Sequence, residues 1–379
     1  MIWLGHITAP GMQISREPRD SVREAVQEMP GQEKPVQEMP VQEMPGKEKP
    51  VQEMPGQKMP ALASRETQTF FAMDTIISME IYGDHKEEAV KRAMNQIDSL
   101  EALWSVTREG SDVYELNHHQ GSPVKVSEET RELVSFALGM EQETGGAFNP
   151  SLYPVVKTWG FTTREYQIPK EEELQRLLEH TDFQKLQIEG EAIILPERME
   201  IDFGAVAKGY TGDLVVETMK KCGITSGIVN LGGNVALIGQ TPDGRPWRTG
   251  IRSPYGEGTI GVLEAEDCHI ITSGGYERYF TGEDGKVYWH ILDPKTGCPA
   301  DSGIISATIV GTEGNRCDAL STAAFVMGLE GAVSYWRAHE GIEMILITED
   351  NQIYLTEGLD GRFTLNEMSQ GIPVHVIKK

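Results

Sequence analysis

The sequence predicts an α+β protein in which a largely antiparallel sheet is flanked by helices, with a disordered repetitive tail in front of it. Three observations carry that prediction. Strand-like and helix-like stretches follow one another without the regular alternation that builds a parallel sheet. The strand candidates are short, rich in β-branched residues and bounded by glycine-bearing turns. Between Val26 and Pro60 the chain repeats a five-residue unit seven times: VQEMP, GQEKP, VQEMP, VQEMP, GKEKP, VQEMP and GQKMP. A proline in every unit removes a backbone donor and interrupts helix, while the sparse Val and Met cannot build a core. Residues 1–64 are therefore expected to be a disordered tail and residues 65–379 the folded domain.

The folded part opens with Thr67–Tyr82, TQTFFAMDTIISMEIY, a strand pair or one bent strand. A helix follows over about His85–Trp104, with Ala89, Ala93, Ile97 and Leu100 along one stripe. Ser127 reads as an N-cap, with Glu128 and Glu129 in the first turn of a helix that stops near Gly145 and Gly146. Residues 186–195 and 200–203 alternate like strands. The next helix, about Val206–Lys221, closes at Gly223, a residue suited to the left-handed turn beyond a helix end. Gly227–Gly239, GIVNLGGNVALIG, gives two short strands around a glycine pair, read as a bulge or as a place of close backbone approach. Further strands are expected near Trp247–Ile251, Gly261–Ala265 and Ile304–Val310. Helices near Arg316–Met327 and Glu330–Glu340 precede final strands at 343–348 and 352–356.

Across the 379 residues, 34 Lys+Arg face 58 Asp+Glu, a formal net charge of −24. Only 7 and 9 of these fall in residues 1–64, so the acidity belongs to the folded part. That balance argues against a nucleic-acid partner, which needs clustered cations. Any bound phosphate must be held locally, by backbone N–H groups, a metal ion or one placed lysine. No run of about 18 uncharged apolar residues occurs, so no membrane span is expected. The first residues show neither a basic segment with a long apolar core nor a lipid-attachment cysteine, which makes cytoplasmic placement the expectation. Cys222, Cys268, Cys298 and Cys317 form no C-x-x-C pair and read as free thiols or small core residues.

Four segments carry chemistry. In Thr144–Pro154, TGGAFNPSLYP, two glycines at a helix end allow close backbone approach, and Phe148 could stack on a planar ring or simply fill the core. In Met199–Tyr210, MEIDFGAVAKGY, a turn of small residues opens a helix whose free N–H groups suit a phosphate. Lys208 there opposes the helix dipole; a bound anion or a partner carboxylate would explain it, and a solvated surface lysine is the alternative. His290, in Trp289–Gly297 (WHILDPKTG), reads as a core or capping histidine or as a general base. Asp318 and Thr322 lie four apart on one helical face. They suit a hard cation such as Mg²⁺, or equally a cap and a hydroxyl bonded back to a carbonyl.

Taken in order, FFAMDT, TGGAFNPSLYPVVKTWGF, IDFGAVAKGYTGD, TSGGYERYF, HILDPKTGCPA and DALSTAAFVMG resemble the FAD:protein FMN transferases, the ApbE-type flavin transferases, from Phe70 to about residue 357. The resemblance implies an enzyme that takes FAD as substrate and requires Mg²⁺. It would transfer FMN to a Ser or Thr hydroxyl of a target flavoprotein and release AMP. Some members instead hydrolyse FAD to FMN and AMP, and a non-catalytic FAD-binding protein is a third reading. By resemblance the cation falls to the Ala205 carbonyl, Asp318 and Thr322. Flavin contacts fall to Met73, Ala147, Phe148, Asn149, Asp202 and Lys208, and His290 is the base for the acceptor hydroxyl. The chain departs from the family at Asp74, where Gly is usual, and at Asn149, where Asp is frequent. Members are often exported or membrane-anchored, against the cytoplasmic expectation drawn from the chain itself.

Overall fold

The structure, a computed structural model, describes residues 64–379. The expected tail, residues 1–64, lies outside the described residues apart from Ser64.

Among the described residues nine strands form the main sheet, and their order across it is their order along the chain. They are Glu66–Ala72, Thr75–Gly83, Ile224–Leu231, Asn234–Ile238, His269–Gly274, Ile304–Gly311, Ile342–Thr348, Ile353–Thr356 and Val374–Ile377. Every neighbouring pair is antiparallel except the last, which is parallel. Alternation decides which side chains enter the core: Ile77, Met79 and Ile81 are all buried from one strand. In Asn234–Ile238 both faces are covered. Ala236 and Ile238 join the large core under the helices, while Val235 and Leu237 join a smaller second core. A three-stranded sheet of Trp247–Arg252, Thr259–Ala265 and Phe363–Leu365 supplies the other side of that second core. Helices flank one face of the main sheet and this small sheet covers part of the other.

The helix Lys86–Trp104 buries Ala89, Ala93, Ile97 and Leu100, the expected stripe. Ser127 caps Glu128–Glu143 by accepting from the Thr130 N–H.

Two tight turns stand side by side at one edge of the eventual site. Ala72 pairs with Thr75 across Met73 and Asp74, whose φ values are 51° and 60°. Leu231 pairs with Asn234 across Gly232 and Gly233, at 63° and 101°. Both are two-residue hairpin turns that require positive φ, and Asp is among the few non-glycine residues that tolerate it. A Cβ on Gly232 would stand 2.0 Å from the Thr75 hydroxyl oxygen, so the turns pack directly against each other. The glycine pair is thus a hairpin turn with unbroken register rather than a bulge, and the expected close backbone approach is real.

Other expectations are corrected. Residues 200–203 form no strand: Asn117 bonds both the N–H and the C=O of Ile201, at 2.8 and 2.9 Å, and Asp202 N–H donates to the Pro150 carbonyl. A side chain and a loop do there what a sheet neighbour would otherwise do. By contrast, the two helices expected at 316–327 and 330–340 are both present, meeting within Gly314–Ala338 at a kink at Gly328, whose φ is 73°. The central strand His269–Gly274 and the edge strand Val374–Ile377 lie in stretches not assigned as strands from the sequence. Among the described residues no helix is long and apolar enough to cross a membrane.

Candidate active site

The site is organised by the crossing of two helices, Ala207–Lys221 and Gly314–Ala338. They meet at glycines. A Cβ on Gly209 would lie 2.1 Å from the Gly314 carbonyl oxygen and 2.6 Å from Asp318 Cβ. At this separation each helix caps the other. Gly209 N–H, in the first turn of one helix, donates to Asp318 Oδ2 at 2.8 Å. Gly314 and Asn315 N–H, in the first turn of the other, donate to Asp213 at 2.7 and 2.9 Å. Asp213 is also 3.0 Å from Nε2 of the buried His269. Carboxylates at both N-termini satisfy orphan donors and complement both dipoles.

Lys208 sits inside this crossing at 2% exposure, not on the surface. Burial pulls its ammonium down from the usual lysine range; the carboxylates of Asp318 and Asp202 oppose that, and the Arg278 charge adds to it. The partner carboxylate needed to explain a lysine at a helix start is Asp318.

The crossing forms one end of a cleft of about 880 Å³ free of protein atoms, its open mouth included. Ala205, Asp318 and Thr322 line that end. Thr322 Oγ1 is 3.2 Å from Ser273 Oγ, which also lies 2.8 Å from Ser321 Oγ. Ala147, Phe148 and Asn149 line another part of the wall. Asn149 is engaged at both ends: its amide donates to the Thr181 carbonyl and its oxygen accepts from the Ser151 N–H and hydroxyl.

His290 also lines the cleft, at the end of a small hairpin, Tyr279–Thr281 and Val287–Trp289. Its backbone N–H donates to the Arg278 carbonyl at 3.1 Å, and Nδ1 is 3.2 Å from the same oxygen. A carbonyl can only accept, so Nδ1 carries the hydrogen and Nε2 keeps its lone pair. Burial, aided by the charges of Arg278 and Lys208, holds the imidazole well below the usual histidine range. At neutral pH it is an uncharged ring with a basic nitrogen. Asp202 is buried as well, and burial pushes its carboxyl up; the Gly204 N–H, 2.6 Å from Oδ1, and the charges of Arg278 and Lys208 work against that rise. Its Oδ2 is buried without a hydrogen-bond partner.

The sequence model of the ApbE family matches residues 73–346. The chain belongs to the ApbE family. It is 32% identical over 321 residues to an FAD:protein FMN transferase of Treponema pallidum, covering 77% of this chain and 88% of that protein. An FAD:protein FMN transferase of Klebsiella pneumoniae is 31% identical over 298 residues, covering 77% and 92%. The crystal structure of the ApbE protein of Thermotoga maritima superposes with a TM-score of 0.74 at 29% identity, over 79% of this chain and 99% of that one. Membership makes the chain an enzyme of the transferase class.

In this ApbE-family chain, eight of the ten residues singled out from the sequence line one cleft: Ala147, Phe148, Asn149, Asp202, Ala205, His290, Asp318 and Thr322. The structure does not bring Met73 and Lys208 into the lining. Met73 is buried in the first hairpin turn, and Lys208 is buried in the first turn of Ala207–Lys221, where Asp318 is the strongest of the opposing charges. Sequence reasoning gave no role to Asn117, which clamps Ile201, to Ser273, which touches Thr322, or to Asn234, which lines the cleft. For Asn234 the available signal was its place directly after a glycine pair.

The donors present fit a hard cation. Among the described residues no group of three or more His, Cys, Asp or Glu is placed to hold a metal ion. One carboxylate and one hydroxyl, four residues apart on a helix face and beside the Ala205 segment, match a cation that takes its remaining ligands from water and phosphate, as Mg²⁺ does.

Proposed function

We propose that the protein transfers FMN from FAD to a Ser or Thr hydroxyl of a target flavoprotein, with release of AMP, and that it does so with Mg²⁺. The observation that carries this reading is the junction, in one cleft, of an oxygen-donor end (Ala205, Asp318, Thr322) with a buried uncharged His290 whose Nε2 is unprotonated.

Mg²⁺ held by Asp318, Thr322 and the Ala205 carbonyl would neutralise charge on the pyrophosphate. Asp318 does this from a fixed position, since one of its oxygens is already tied to Gly209 N–H. Lys208, buried within the field of Asp318, adds a positive charge to the same end. Ala147, Phe148 and Asn149 form the wall assigned to the flavin. His290 Nε2 accepts the proton of the acceptor hydroxyl as its oxygen bonds to the FMN phosphorus. The bond from that phosphorus to the bridging oxygen breaks, and AMP leaves with the electron pair. A base that is uncharged at neutral pH, oriented through its other nitrogen, is the form this step needs. The flavin contact assigned to Met73 finds no support in its buried position, and Lys208 is better read as a charge within the field of Asp318 than as a flavin contact.

The test is mass spectrometry of a flavoprotein acceptor domain incubated with the full chain, FAD and Mg²⁺, with AMP and free FMN measured in parallel. An FMN-sized mass gain on the acceptor, lost with chelator, is expected. Stoichiometric AMP and free FMN without a mass gain would replace the transferase by an FAD pyrophosphatase, and intact FAD would leave a binding protein.

A further inference from the structure

We propose that Asn234 is a substrate-binding residue of this cleft, its side-chain amide donating a hydrogen bond to an oxygen or ring-nitrogen acceptor of the flavin nucleotide. The assignment rests on the FAD reading above and adds a residue to it. Asn234 is 3% exposed and lines the cleft. Its Nδ2 is buried without a partner. The other polar side chains nearby are occupied: Thr272 with Thr308 at 2.8 Å, Ser273 with Ser321 and Thr322, and Asn149 with Thr181 and Ser151. Among the described residues, only Asn234 Nδ2 and the acceptor Oδ2 of Asp202 combine burial, a place in the lining and no hydrogen bond. An amide donor left unsatisfied in a protein interior is destabilising, so its retention calls for a ligand that completes it.

The backbone holds Asn234 ready for that role. It is the first residue after the Gly232-Gly233 turn, paired with Leu231, and the turn is pinned against Thr75. On its other side the strand pairs Val235 with Ile270, which sets Asn234 beside the strand carrying Thr272 and Ser273. A donor on a strand fixed from both sides needs little reorganisation to meet a ligand.

The experiment titrates the full-length protein with FAD and with FMN by flavin fluorescence, and measures the melting temperature without ligand, for wild type and Asn234→Leu. FAD affinity should fall roughly ten-fold in the variant, the loss of one well-made hydrogen bond. The ligand-free melting temperature should hold or rise, because an unsatisfied buried group has been removed. A structural asparagine would not behave that way. An equal loss for FMN puts the acceptor in the flavin half of FAD, and a loss for FAD alone puts it in the adenylate half. Should N234L not fold, Asn234→Ala removes the donors without adding a charge and is read in the same way. Unchanged FAD affinity overturns the proposal, as does a parallel fall in affinity and melting temperature. Failure of the wild type itself to bind FAD removes the flavin reading, and this assignment with it.

Discussion

Two walls of the same cleft solve opposite problems. At the helix crossing the polar groups of both helix starts are satisfied within the protein: Asp318 takes Gly209 N–H, Asp213 takes Gly314 and Asn315 N–H, and Lys208 lies in the field of Asp318. On the wall carrying Asp202, Asn234 and His290, a carboxylate oxygen and an amide are buried without partners, and an imidazole nitrogen keeps its lone pair. The first arrangement fixes a position; the second keeps bonding capacity for something that arrives. Substitutions at the crossing should therefore be read in stability as well as turnover, and those on the open wall mainly in binding or turnover.

Asp318 lies where the two descriptions overlap, and its removal should have the largest effect. Asp318→Ala is expected to lower FMN transfer on the order of a thousand-fold or more, by loss of the charge-neutralising ligand. It should also cost about 1 kcal/mol of stability, by loss of the cap. Asp318→Asn keeps an acceptor for Gly209 N–H, so it should restore the melting temperature without restoring transfer. Transfer at the wild-type rate by the alanine variant would end the cation assignment.

On the open wall, His290→Gln should lower transfer by roughly a hundred-fold or more, the range of a lost general base, with little change in melting temperature. The pH dependence has a definite sign. His290 titrates well below 6.5 in the folded protein, so its basic form persists through neutral pH and transfer should fall only on the acid side. For stability, the unfolded chain takes up the proton first as pH drops. The contribution of His290 is therefore fully present above about 6.5 and is lost as pH falls through that value toward the folded-state pKa. A rate that already declines between pH 7.5 and 6.5, with no other step limiting, would contradict the buried neutral ring.

Returning to the crossing, Gly209→Ala tests packing alone. Its Cβ would meet backbone at 2.1 Å, so the helices must separate, at a cost of about 1–3 kcal/mol or more. Chemical denaturation of this variant in the absence of FAD measures the effect. Wild-type stability would mean that the crossing can relax, and that the capping bonds do not fix Asp318.

How much of this was legible in the sequence follows the same division. Local signals came through. The stripe of Ala89, Ala93, Ile97 and Leu100, the Ser127 cap and the i, i+4 pair Asp318 and Thr322 each depend on residues within a few positions. Long-range satisfaction did not. Asn117 and Ile201 are 84 residues apart, so the segment expected as a strand found its partner in a distant side chain. Lys208 stayed open between a partnered and a surface lysine because Asp318, whose charge opposes the effect of its burial, lies far along the chain. Of the two readings of Gly232-Gly233, the bulge failed because a bulge and a two-residue turn share a composition and differ only in register. Periodicity reports what a residue's neighbours in sequence do, and the crossing is made of residues that are not neighbours.

The smallest expected effect addresses whether the two caps act as one. Asp213→Ala removes the acceptor of two N–H groups at the start of Gly314–Ala338 and should cost about 1–2 kcal/mol. Asp318→Ala removes the reciprocal cap. Were the helices independent, the double variant would lose the sum of the two, to within about 0.3–0.5 kcal/mol. But Gly209 and Gly314 are in backbone contact, so loosening one helix start moves the donor that the other carboxylate must meet. The double-mutant cycle, read by denaturant unfolding, should therefore give a coupling of about 0.5 kcal/mol or more, with the pair losing less than the sum. Strict additivity would make each carboxylate a private cap. Asp318 would then owe its position to its own helix alone, and the comparison of the two walls would reduce to a difference in burial.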